Sequence, residues 1–230
     1  MASLPTVLLA ACTALLALAA PLLAGDPDML QDFCVAEYKS LEGQNVTGAA
    51  LRVNGFPCKR PENVMANDFF SDVLSLPGNT GNPVGSAVTA VNVDKLPGLN
   101  TQGMSISRVD YAPWGVNPAH THPRATEILF MVEGSLTVGF VTTAGNLFTR
   151  TVCKGELFVF PHGLVHFQRN NGGTPAMAIS AFNSQLPGIQ SVAVSLSRVS
   201  PSMPTDVLAR AFQINAGMVD AVNSNSAPMY

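Results

Sequence analysis

All 4 histidines of this 230-residue chain fall in two short windows. The first is PAHTHPRATE, Pro118 to Glu127, with His120 and His122 one residue apart. The second is GELFVFPHGLVHFQRN, Gly155 to Asn170, with His162 and His166. On an extended backbone residues i and i+2 point to the same side, so His120 and His122 can face one atom. Glu127 leads directly into the apolar run EILFMV, where a carboxylate buried alone is costly. A cation shared with the imidazoles would supply its partner. His166 stands between Val165 and Phe167 on a returning strand, whereas His162 sits in the Pro161–Gly163 turn and reads as exposed. The ligand set is therefore read as His120, His122, Glu127 and His166. Glu133 and Glu156 compete as carboxylates, but each adjoins a glycine at a strand end and suits a solvated turn. Three imidazoles and one carboxylate leave positions open on an octahedral metal, and the lack of thiolates disfavours structural zinc. Manganese, iron and catalytic zinc all suit such a set, and ligand chemistry alone does not choose among them.

The elements that must position these residues are short strands. From Gly85 to about Val199, runs rich in Val, Ile, Phe and Thr alternate with Gly, Pro and Asn turns. SAVTAVNV, SISRVDYA, EILFMVEG, SLTVGFVTT, LFTRTV, ELFVFP, LVHFQRN, AMAISAFN and IQSVAVSL all read as strands. Their length and spacing predict an all-β sandwich or barrel. EGS at Glu133–Ser135 and HGL at His162–Leu164 predict tight turns. After Pro201 the segment PTDVLARAF predicts a helix capped by Thr205, with Val207, Leu208 and Phe212 on one apolar face. AGMVDAVNS predicts a second short helix. The chain thus divides into residues 1–24, a leader; 25–75, an extended arm; 76–200, the β-domain; and 201–230, a helical arm.

Residues 1–24 carry no charged side chain and end in small and apolar residues, which reads as a secretory signal peptide. Cleavage would follow Ala24 or Ala20, and an uncleaved anchor is the competing reading. Cys34 and Cys58 flank a polar, turn-rich segment. A bridge between them would stabilise that loop by roughly 3 kcal/mol. Cys153, left over in a strand-like stretch, is expected to be a buried thiol, with pairing between chains the competing reading. Asn45 opens an Asn-Val-Thr glycosylation sequon inside the Cys34–Cys58 loop. Charged residues make up 12% of the chain and the net charge is -3. No basic stripe exists to neutralise phosphates, which argues against a nucleic-acid partner. Membrane association is not expected once the leader is removed.

The two windows, together with DPDMLQDFCVA, VNGFPCK, FNSQLPGIQ and PTDVLARAF, resemble the plant germin-like proteins of the cupin superfamily over essentially the whole mature chain. The resemblance implies a cupin β-barrel, or jelly roll, with an N-terminal arm pinned by a Cys34–Cys58 disulfide and with C-terminal helices. It implies manganese held by His120, His122, Glu127 and His166, secretion to the apoplast or cell wall, and a homo-hexamer built as a trimer of dimers. Family members include oxalate oxidases, superoxide dismutases and non-enzymatic, receptor-type proteins, so the implied substrate is superoxide or a small carboxylate. Germin oxalate oxidases resemble one another in placing an asparagine at two site positions. One corresponds to Asn117, the candidate catalytic residue for orienting substrate or solvent; the other falls on Ser107, which offers no amide. Trp114 stands where germins usually have glycine, and two roles are open to it: packing, or narrowing access at a barrel mouth. Both departures weaken the oxalate oxidase reading and favour superoxide dismutation.

Overall fold

The computed structural model describes residues 31–38 and 55–225. The leader and the Asn45 sequon lie outside the described residues. Ten strands form two five-stranded antiparallel sheets. In chain order they are β1 (Ser86–Val91), β2 (Ser105–Tyr111), β3 (Val116–Thr121), β4 (Glu127–Glu133), β5 (Ser135–Val141), β6 (Leu147–Cys153), β7 (Leu157–Phe160), β8 (His166–Arg169), β9 (Ala176–Phe182) and β10 (Gln190–Ser191). One sheet has the order β1-β2-β9-β4-β7 and the other β10-β3-β8-β5-β6. This is the all-β cupin architecture.

Period-two alternation sorts the side chains. On β4, Glu127, Leu129 and Met131 are buried, while Ile128 and Phe130 between them are 45% and 44% exposed. On β9 the inward row is Ala176, Ala178, Ser180 and Phe182. Leu129, Met131, Leu136, Val138 and Phe160 fill the space between the sheets at 1% exposure or less. Gly134, at φ +78, makes the tight β4–β5 turn, where an added Cβ would lie 2.8 Å from Ala176.

Cys34 and Cys58 are bridged, with Cα atoms 4.8 Å apart. The bridge sits beside the Ala36–Cys58 β-contact, and Ala36 N–H donates to the Pro97 carbonyl at 2.9 Å. Residues 55–78 run past three short 3-10 turns, Pro61–Asn63, Ala66–Phe69 and Val73–Ser75. Arg108 and Asp110 on β2 tether this segment: Arg108 donates to the Leu74 carbonyl at 3.1 Å, and Gly78 N–H donates to Asp110 at 2.8 Å.

Several expectations are corrected. IQSVAVSL is not a strand: only Gln190 and Ser191 pair with β3, and the chain then turns into α1 (Val192–Ser197). The next pairing positions on β3 would be Ala119 and Pro118, and proline has no N–H to extend the ladder. In α2 (Thr205–Phe212) the N-cap is Pro204, not Thr205, and no side chain caps the helix. The Pro204 carbonyl itself accepts from Val207 and Leu208. Of the predicted apolar face only Leu208 is buried; Val207 and Phe212 are about half exposed. A last helix, α3 (Ala216–Asn225), packs on α2. Cys153 is exposed rather than buried. Val152 takes the inward position at 1% exposure, so alternation turns its neighbour outward on the edge strand β6.

Candidate metal centre

His120, His122, Glu127 and His166 come together at one end of the barrel. It is the end where β3 and β9 finish and β4 and β8 begin. All four are buried, at 2%, 7%, 3% and 2% exposure, and one ligand atom from each lies within 4.8 Å of the others. Among the described residues this is the one cluster of its kind.

A β-bulge in β3 builds half of it. Asn117 pairs with Gln168 and His120 with His166, so three residues on β3 advance against two on β8. In a regular strand Asn117 and His120 would face opposite sides; the extra residue turns both inward. Asn117 is 6% exposed and lines the same cavity as His120 and His122.

Each histidine has one ring nitrogen committed to a backbone carbonyl. His120 Nδ1 donates to Pro118 at 2.7 Å, His122 Nδ1 to Gly188 at 2.6 Å and His166 Nδ1 to Leu164 at 2.8 Å. A carbonyl only accepts, so Nδ1 carries the proton and Nε2 turns its lone pair into the site. Nε2 of His122 and of His166 each lie 3.1 Å from the same Glu127 oxygen, Oε2. Lone pairs and a carboxylate at that spacing need a positive charge between them. The donor set therefore fits a metal cation, with nitrogen and oxygen ligands and no thiolate.

Ring packing holds the orientation. Phe160 stacks on His166 at 4.5 Å, and Phe182 meets His122 edge-on at 4.7 Å. Burial, followed by the neighbouring His166, pushes His120 down to about 4, which keeps its imidazole neutral at physiological pH. Burial works to raise the Glu127 carboxyl, but the close approach of the His122 and His166 rings outweighs it and holds the group below the ordinary carboxylate range.

The centre opens into a cavity of about 290 Å³. Its walls are mainly apolar, with Val88, Val109, Phe182, Leu186 and Ile189, and its polar groups besides the cluster include Ser107, Asn117 and Ser180. The other candidates lie elsewhere. His162 is an exposed turn residue, Glu133 is exposed at the end of β4, and Glu156 accepts from the Cys153 N–H at 2.8 Å. Trp114 is 63% exposed, on the loop from β2 to β3 at the opposite end of the barrel, so it neither packs in the core nor narrows this cavity. Two contributors were missed in the sequence. Gly188 supplies the carbonyl that holds His122, and Ser180 donates to Glu127 Oε1 at 2.6 Å. For Ser180 a signal existed: a hydroxyl in the inward row of an otherwise apolar strand needs a partner.

A double antiparallel sheet closing on three histidines and a carboxylate defines a cupin metal centre, and comparison with known proteins agrees. The cupin family model matches residues 73–220. Germin-like protein 1-3 of Oryza sativa subsp. japonica is 68% identical over 93% of both chains. Nectarin-1 of Nicotiana langsdorffii x Nicotiana sanderae is 55% identical over 90% of this chain and 85% of its own. A solved oxalate oxidase in complex with the substrate analogue glycolate superposes with a TM-score of 0.80 at 45% identity, covering 89% of this chain and 100% of that one. The chain belongs to the germin-like proteins of the cupin family.

Proposed function

We propose that this protein is a secreted manganese-binding germin-like protein that dismutes superoxide in the apoplast or cell wall. The observation that carries the reading is the carbonyl-locked set of three Nε2 lone pairs converging with Glu127 Oε2 beside a small cavity. When bound there, manganese supplies two accessible oxidation states and a positive charge that attracts an anionic substrate. His120, His122, Glu127 and His166 hold it and leave positions free on the cavity side. The apolar walls limit bulk water, and a cavity of about 290 Å³ admits a diatomic anion easily. Asn117 stands beside the ligands, with its amide available to orient substrate or solvent. The net reaction turns two superoxide anions and two protons into hydrogen peroxide and dioxygen.

The test is superoxide dismutation by the purified protein, measured against its manganese content. Activity proportional to bound manganese supports the reading; a fully loaded, inactive protein overturns it.

Oxalate oxidation is the second reading, favoured by the likeness to the glycolate-bound oxalate oxidase. Against it, Ser107 presents a short hydroxyl in the cavity where an amide is wanted, at 4% exposure. Negligible peroxide release from oxalate is expected; robust release would reverse the order of the two readings. Inactivity toward both substrates would favour a non-enzymatic wall protein with a structural metal.

The remaining assignments belong to the same proposal. Residues 1–24 are removed as a signal peptide, Asn45 carries a glycan, residues 25–75 form the arm, 76–200 the barrel and 201–230 the helical arm. Assembly as a homo-hexamer is supported by the apolar outer face of β4 and β7, where Ile128, Phe130, Leu157 and Val159 are 44–61% exposed. Light scattering on the secreted protein should give six times the protomer mass; a monomer would refute the assembly.

A further inference from the structure

We infer that Ser180 is a positioning residue for the metal centre, selecting which oxygen of Glu127 faces the cation. The inference rests on the metal reading above and goes beyond its four ligands. Ser180 is fully buried and Glu127 is 3% exposed. The hydroxyl donates to Oε1 at 2.6 Å, while Oε2 is the oxygen placed 3.1 Å from both His122 and His166. The two carboxylate oxygens thus have separate tasks.

Register explains how the contact arises. Ser180 pairs with Leu129 on β4, so Glu127, two residues earlier and on the same inward face, is its diagonal neighbour. Ser180 also pairs with Ser107 on β2, and both line the cavity. Size alone does not call for serine here. Ala176 and Ala178 occupy the two preceding inward positions of β9. What serine adds over alanine is one hydroxyl, and burying a hydroxyl without a partner is unfavourable.

The consequence is geometric. With Oε1 held by Ser180, Glu127 offers one oxygen to the cation. Freed from that bond, the carboxylate can rotate to offer both, taking up a coordination position the substrate would use. It would also lose the fixed orientation that pre-pays the ordering of the site. Outer partners of metal ligands carry effects of this kind, typically about 10–100-fold in affinity.

The experiment compares full-length wild type, Ser180→Ala and Ser180→Thr. The readouts are Mn(II) affinity by chelator competition, the electron paramagnetic resonance spectrum of bound Mn(II), and the melting temperature of the metal-free protein. Ser180→Ala is expected to bind Mn(II) about tenfold more weakly with an altered spectrum and, because Glu127 Oε1 loses its donor, a lowered metal-free melting temperature; Ser180→Thr is expected to restore all three. Unchanged affinity and spectrum in Ser180→Ala would overturn the inference while leaving the four-ligand site intact. A weakened affinity that Thr does not restore, with a lowered metal-free melting temperature, would assign Ser180 to packing instead. Wild type that binds no Mn(II) would sink the metal reading itself and this inference with it.

Discussion

Nε2 of His166 lies 3.1 Å from Oε2 of Glu127, and both side chains are almost completely buried. Among the described residues the same oxygen is approached in the same way by His122 and forms no ion pair with a lysine or arginine. The arrangement fits a cation held between these atoms.

Removing one imidazole should therefore empty the site. His122→Ala is expected to bind metal about tenfold or more weakly, and to lose any dismutase activity with it. Metal analysis beside the activity assay checks this. Full activity in a metal-free variant would remove these residues from the mechanism.

Acid should destabilise the metal-free protein. His120 is held at about 4 against an ordinary 6.5. Between those values the unfolded chain takes up a proton there and the native state does not. The stability contribution is complete above about pH 6.5 and declines as pH falls toward about 4. Glu127 acts in the same direction at lower pH, because its carboxyl is held below the unfolded value of 4.5. Melting temperatures should hold near neutral pH and fall from about pH 6.5 down to 4; a flat profile would mean that the cluster is not buried in the way described.

Gly188 couples the mouth of the cavity to His122. Its φ is +68, its carbonyl accepts from His122 Nδ1, and an added Cβ would lie 2.9 Å from the Arg124 guanidinium. Arg124 in turn donates to the Leu186 carbonyl at 2.8 Å. Gly188→Ala should cost about 1–2 kcal/mol from the left-handed backbone alone, and should weaken metal retention through His122. Denaturant melts with metal analysis would show both effects, and normal retention would argue that His122 is oriented by its other contacts.

Trp114 offers the opposite expectation. It holds a left-handed φ of +64 and is 63% exposed at the far end of the barrel. Trp114→Gly removes a strain of about 1 kcal/mol, partly offset by the greater freedom of glycine in the unfolded chain. Metal content and turnover should stay at the wild-type level. A change in substrate affinity would relocate Trp114 to the mouth.

Much of this protein was legible without coordinates, and the reasons are local. The i, i+2 spacing of His120 and His122, the carboxylate opening an apolar strand at Glu127, and the isolation of His166 between Val165 and Phe167 are all consequences of strand alternation. That is a property of the backbone which sequence reports directly. The β-strands from Ser86 to Phe182 followed from the same rule except β3, whose segment VNPAHT carries a proline and no run of β-branched residues and does not read as a strand. What tertiary structure decided was whatever depended on a partner strand. The bulge that turns Asn117 inward exists only against β8, and the ladder that ends beside Pro118 sends Val192–Ser197 into a helix despite its valines. Cys153 faces outward because Val152 takes the inward place. The carbonyl of Gly188 and the hydroxyl of Ser180 reach the site from 66 and 53 residues beyond the groups they orient. Sequence spacing determines which face a side chain takes; only the folded register determines which distant group meets it there.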